Sequence, residues 1–366
     1  MAQGETERAM RRILRFVGQV LVIAAVTLAL DFVLTATLFD NLKRAFAEAA
    51  AENHLVYQPA PHHHDLVPDV KTTRLWGNMF YPWQTDRYGF RTGTCGPGEA
   101  EKAWPAIFVV GDSFTEALGS SYEQSFVGLM ACDAARQKKA VWNLGVASYS
   151  PIIYHRKIRA AAQRLGVKPA EIFVFLDLSD IDDEANVYRV AEDGTVKYAT
   201  TSEPTNQLPF DLVQFLINNL TTARLLHDLY LTSTFSYSLS IGRPRARWTV
   251  DNALLESWGK RGLELASANL DKVVGLCREW QCRLTLIVYP WPDNIVEHDK
   301  DSIQVRYWRA WAAERGVRFI DGFAPFFREP ADEALRRYYF AGDVHFTEQG
   351  NRLLYQAVKD AVGGDW

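Results

Sequence analysis

Five short apolar runs, AIFVVGD, VWNLGV, EIFVFLD, RLTLIVYP and VRFID, recur between Ala106 and Asp321, separated by longer stretches of helical periodicity. Their apolar positions are consecutive rather than alternating. Both faces of each strand must therefore be covered, as in a parallel sheet wrapped by helices. The helical stretches fall at 123–136, 152–165, 251–280, 303–315 and 347–362. The expected fold class is α/β, a doubly wound parallel sheet. The rhythm lapses between 184 and 250, where VYRVAEDGTVKYA reads as a hairpin turned at Asp193-Gly194 and FDLVQFLINNLTTARLLHDLYL reads as helical. This stretch is expected to be a lid-like insertion.

Residues 16–39, FVGQVLVIAAVTLALDFVLTATLF, carry a single charge, Asp31. About 20 apolar residues suffice to cross a bilayer as a helix. Arg8, Arg11, Arg12 and Arg15 precede the run, and only Lys43 and Arg44 follow closely. That bias keeps the N-terminus cytoplasmic and sends the remainder to the extracytoplasmic side, periplasmic or extracellular. A cleaved signal and a buried core helix compete with an uncleaved anchor, but the best small-x-small site, Ala45-Phe46-Ala47, lies far downstream. The expected organisation is an anchor and helix over 1–52, a connector over 53–85, and the α/β domain over 86–366. His62, His63 and His64 lie in that Pro/His-rich connector, where adjacent side chains diverge, so they read as a solvated stalk rather than a metal site.

A formal net charge of −4 with scattered basic residues argues against nucleic acid as a partner. Cys95, Cys132, Cys277 and Cys282 show no CxxC spacing, which excludes a zinc ribbon or thioredoxin-like motif. Cys277 and Cys282 are near enough to close a small loop, yet a free buried thiol is the expectation for each cysteine.

Two motifs carry chemistry. GDSFTEA at 111–117 follows the first strand, at the sheet edge where parallel sheets place their ligands. DVHF at 343–346 precedes the last helix, and an Asp two residues before a His can orient the ring from one loop. A serine hydroxyl needs such a base to act as a nucleophile. Each motif alone has the composition of an ordinary turn.

Together they resemble the SGNH/GDSL hydrolases. GDSFTEA is similar to that family's first block, with Ser113 as nucleophile, and NLGVASYS at 143–150 to the second, with Gly145 as an oxyanion-binding N–H. DVHF is similar to the last block, with His345 as base and Asp343 as orienting acid. TDRYGFR at 85–91 resembles a lead-in of extracellular members. The chain departs at three points. Ala117 stands where the first block has Gly, the last block has one residue fewer between Asp and His, and Ser179 in VFLDLSDIDDE replaces the third block's oxyanion Asn.

The resemblance implies an oxyanion hole of Ser113, Gly145 and Ser179, with Asp112 or Asp180 as supporting acids. No cofactor or metal is implied, and the acidic run 177–184 lacks a ligand spacing. The implied activity is that of a serine esterase or O-acyltransferase on acetyl esters of a cell-surface or exported polysaccharide. Two readings compete: a noncatalytic glycan-binding or scaffold protein partnered with a membrane-bound acyltransferase, and a lipid esterase.

Overall fold

The computed structural model describes residues 2–38, 55–76, 79–199, 215–217, 219–232 and 241–366. Two units are separable, Met1–Ala51 with Glu203–Thr232, and Glu52–Ser202 with Ser233–Trp366.

The larger unit opens with two antiparallel hairpins, β1 (Tyr57–Ala60) with β2 (His63–Leu66), and β3 (Lys71–Trp76) with β4 (Met79–Gln84). The connector expected over 53–85 is thus folded structure rather than a stalk. His62 is buried, bonding the Tyr149 hydroxyl at 3.1 Å, and His64 Nε2 bonds the Ala147 carbonyl at 2.8 Å. No apolar alternation announces β1 and β2, because polar pairing fastens them to the domain. Asp65 is buried with Lys157, and Arg164 reaches its other oxygen at 3.2 Å.

The five apolar runs form β5 (Ala106–Val110), β6 (Ala140–Asn143), β7 (Glu171–Leu176), β10 (Arg283–Val288) and β11 (Arg318–Asp321). All pair in parallel, in the order β11-β10-β7-β5-β6. Counted along the chain this is 2-1-3-4-5, so the direction of winding reverses between β5 and β7. The C-terminal ends of those two strands flank the point at which such sheets form a ligand crevice, and Ser113 lies three residues beyond β5. Every residue of β5, β6 and β7 is buried, as their unbroken apolar runs require.

Helices cover the sheet, and local chemistry sets their ends. The four-residue α1 (Ser113–Glu116) is capped by Asp112, whose side chain accepts from Phe114 N. Next comes α2 (Phe126–Arg136), which begins later than the periodicity suggests because Ser125 caps Gly128 N. Pro151 opens α3 (Pro151–Leu165) and Gly166, at φ 69°, closes it. The short α4 (Ser179–Asp182) follows β7. Downstream lie α5 (Lys260–Trp280), α6 (Ile303–Arg315) and α7 (Glu348–Ala361). The hairpin expected at Asp193-Gly194 is present as β8 (Tyr188–Val190) and β9 (Val196–Tyr198).

Cys95 and Cys132 form a disulfide, against the expectation of free thiols, while Cys277 and Cys282 are free. Their separation of 37 residues gave no local signal; tertiary approach brings them together.

The smaller unit contains the N-terminal helix, Ala2–Leu38, within which Met10–Thr37 is long and apolar enough to cross a membrane. It also contains the helix Thr221–Thr232. Of the stretch 184–250, the helix Thr221–Thr232 thus groups with the N-terminal helix, while the hairpin of β8 and β9 and a short helix, Pro244–Arg247, belong to the larger unit.

Candidate active site

Tyr339 and Phe346 pair across an isolated antiparallel bridge and close the loop between them. Inside it Gly342 takes φ 72°, Asp343 N donates to the Phe340 carbonyl, and Phe340 N donates to that of His345. Thr347 then caps Gly350 N and starts α7. In this tight loop Asp343 Oδ1 accepts both the backbone N–H of His345 at 2.8 Å and its ring Nδ1 at 2.5 Å. The shorter Asp-x-His spacing is accommodated, because the acid binds ring and backbone of the same residue.

The other ring nitrogen, His345 Nε2, lies 2.8 Å from Ser113 Oγ. Residues 232 positions apart thus form a continuous Ser–His–Asp relay. His345 is buried and Ser113 is partly exposed at the crevice. Interaction with His345 holds the Asp343 carboxyl well below the usual carboxylate range although burial pushes it up. The acid is therefore ionised at neutral pH and fixes the proton of the ring on Nδ1.

Sequence reasoning missed Trp76. At the end of β3 its indole Nε1 donates to Asp343 Oδ2 at 2.9 Å, and its ring meets the His345 ring edge-on at 5.1 Å. Phe114 packs on the other side of His345, with ring centroids 4.7 Å apart. Trp76 lay in the supposed connector, so only the fold could reveal it.

The oxyanion donors expected from the second and third blocks are otherwise engaged. Gly145 N donates to Asn143 Oδ1 at 2.9 Å. The glycine serves close packing, since an added Cβ would lie 2.6 Å from Thr115 Cβ and 2.7 Å from its backbone carbon. Ser179 Oγ donates to Asp177 Oδ1 at 2.8 Å, and its backbone N–H binds the same oxygen at 2.6 Å. Ser179 thus caps the turn after β7 rather than presenting its hydroxyl to a substrate.

Behind Ser113 lie three buried carboxyls, Asp112, Asp177 and Asp180, with ligand-capable oxygens within 4.8 Å of one another. Asp177 accepts from Ser179 N, Ser179 Oγ, Asp180 N and Trp291 Nε1. Burial, then repulsion from Asp177, pushes the Asp112 carboxyl well above the usual carboxylate range. Ser113 Oγ lies 3.1 Å from Asp112 Oδ2. Asp180 is likewise driven up by burial and receives the Tyr154 hydroxyl at 2.6 Å. Neither acid touches His345, so neither replaces Asp343.

Glu116, fully buried on α1, ties the site to its surroundings. It accepts from Arg74 Nη1 at 2.8 Å, from the Tyr57 hydroxyl at 3.0 Å and from Ala147 N at 2.8 Å. Arg91 of the lead-in motif binds the Pro82 and Ser120 carbonyls, joining β4 to the loop after α1. Ala117 takes φ 70° at the end of α1, the backbone state that makes glycine the usual residue there.

The molecule is thus an open parallel α/β sheet with a Ser–His–Asp relay where its strand order reverses. No family model and no curated protein matches the chain. Among solved structures it is similar to TesA, at 14% identity and TM-score 0.40, over 71% of this chain and 99% of that one. It is also similar to a catalytic mutant of Axe2, an acetylxylan esterase from Geobacillus stearothermophilus, at 16% identity and TM-score 0.38, over 71% and 94%. A GDSL-like lipase from Bacteroides thetaiotaomicron is similar at 12% identity and TM-score 0.38, over 74% and 92%.

Proposed function

We propose that this chain is a serine esterase or O-acyltransferase that works through an acyl-serine intermediate. The observation that carries the reading is the relay from Ser113 Oγ through His345 to Asp343. His345 Nε2 takes the hydroxyl proton as Oγ attacks an ester carbonyl, and Asp343 stabilises the imidazolium that forms. The developing oxyanion meets Ser113 N. Collapse expels the alcohol, which takes the proton from His345. Water then regenerates the serine in an esterase, or a sugar hydroxyl does so in an acyltransferase. Acetyl esters of a cell-surface or exported polysaccharide are the proposed substrate, on the extracytoplasmic side to which the N-terminal charge bias directs the domain.

A second reading is a noncatalytic glycan-binding or scaffold protein alongside a membrane-bound acyltransferase. The engagement of Gly145 N and Ser179 Oγ with protein acceptors favours it, since one lost oxyanion donor costs about 100- to 1,000-fold in rate. Fluorophosphonate labelling separates the two. The enzyme reading expects covalent labelling of the wild type and none of Ser113→Ala, with His345→Ala labelling strongly slowed. A folded wild type that never labels is the scaffold.

A further inference from the structure

Asp31 is the one charge between Phe16 and Phe39, and it is buried. Its carboxylate accepts from Thr222 N at 3.1 Å and from the Thr222 hydroxyl. Beside it, Thr35 Oγ1 accepts from Thr221 N at 2.9 Å. Thr221 and Thr222 open the helix Thr221–Thr232, so Asp31 faces the unsatisfied N–H groups and the positive end of that helix. A carboxylate within an apolar span is expensive unless it is partnered. Here the inserted helix supplies the partner.

The depth of this contact follows from helix geometry. With Arg15 as the last charge before the apolar run, Asp31 lies about 22 Å beyond Phe16 at about 1.5 Å per residue. The hydrocarbon core is about 30 Å thick, which leaves Asp31 about 8 Å inside its far boundary. The first turn of the inserted helix shares that depth. Thr222, Leu225, Leu226 and Leu229 are spaced to lie on one face, and Leu225 and Leu226 are 56% and 65% exposed.

We infer that the helix Thr221–Thr232 is a second membrane element, seated on Asp31, that lays Leu225 and Leu226 among the acyl chains of the far leaflet. The inference rests on the N-terminal helix spanning the bilayer. Apolar faces of this kind bury several ångströms into the boundary between headgroups and acyl chains. The chain is then fixed to the membrane at two places in its sequence.

The test uses the full-length chain in phosphatidylcholine–phosphatidylglycerol vesicles, with Cys277→Ala and Cys282→Ala to remove free thiols. A bimane probe is placed at Leu226→Cys or Val26→Cys, and quenching by doxyl-labelled lipids is measured. Val26 lies near the bilayer centre and reports the span itself. Both probes should be quenched, Leu226→Cys best by shallow doxyl groups and Val26→Cys best by deep ones. Adding Asp31→Ala should about halve quenching at Leu226→Cys and leave Val26→Cys unchanged. Quenching at Val26→Cys alone overturns the inference and leaves the span standing. If neither probe is quenched, both fall, and indifference to Asp31→Ala removes Asp31 as the seat.

Discussion

At the scale of the residue, the relay is a matter of which hydrogen bonds each side chain has left to give. Asp343 spends one oxygen on His345 and the other on Trp76. Trp76→Phe keeps an aromatic ring against His345 but removes the indole donor. A hydrogen bond to a charged group contributes about 1.5–3 kcal/mol, so kcat should fall about tenfold or more while KM holds. An unchanged kcat would show that the His345 contacts alone fix the acid. Ser179 tests the opposite case, because its hydroxyl is spent on Asp177. Ser179→Ala should lower stability by about 1 kcal/mol, read as a drop in melting temperature, and leave kcat alone. A fall in kcat with an intact melting temperature would restore Ser179 to the oxyanion hole.

At the scale of the element, the site depends on pieces that share no sequence neighbourhood. The strand ends at Ser113 and Ser179 and the loop at His345 were legible, because apolar runs mark strands and two short motifs mark their ends. The hairpins β1–β4 were not. β1 and β2 are fastened by polar partners on α1, α3 and the loop after β6, which leave no apolar period, and the alternation of β4, with Tyr81 and Trp83 buried, is too short and too interrupted by Pro82 to stand out. The buried Asp65–Lys157 pair is the main polar link between β2 and α3. Lys157→Met should destabilise the fold by about 3 kcal/mol, because Asp65 would stay buried with only the partly exposed Arg164 and the His62 ring beside it. Chemical denaturation checks this. Adding Asp65→Leu should recover part of the loss, since removing both charges costs less than stranding one.

At the scale of the whole molecule, buried acids set the response to pH. Burial outweighs Arg245 and pushes Asp183 up to about 8, and burial raises Asp86 to about 6. Each therefore binds a proton in the folded chain at pH values where the unfolded chain, with carboxyls near 4, has lost it. Their contribution falls as pH climbs from about 4 to about 8, and it is opposed up to about 6.5 by His63 and His155, which burial holds down at about 4. Asp343 and Asp65 act in the other sense, both held low, by His345 and by Lys157. Their contribution is present above the unfolded value and disappears only in strong acid. The melting temperature should thus be higher at about pH 5.5 than at about pH 8.5, and Asp183→Asn should flatten the upper part of that slope. A melting temperature that climbs steadily across the interval would mean that these acids are ionised when buried.

Local sequence encodes the parallel sheet, an N-terminal helix long and apolar enough to cross a membrane, and the residues of the relay. Each is written in contiguous residues: apolar runs for strands buried on both faces, an apolar stretch of bilayer length, and a serine and a histidine at strand and loop ends. Only the tertiary structure decided what those residues are free to do. Gly145 N and Ser179 Oγ looked available as oxyanion donors until the turns around them placed Asn143 and Asp177 within hydrogen-bond reach. Trp76, the Cys95–Cys132 disulfide and the partner of Asp31 come from residues 37 to 267 positions away. Local pattern encodes which element forms and which atoms could react. The balance of donors, acceptors and buried charge is a property of atoms brought together from distant parts of the chain, and it exists only once they have been packed.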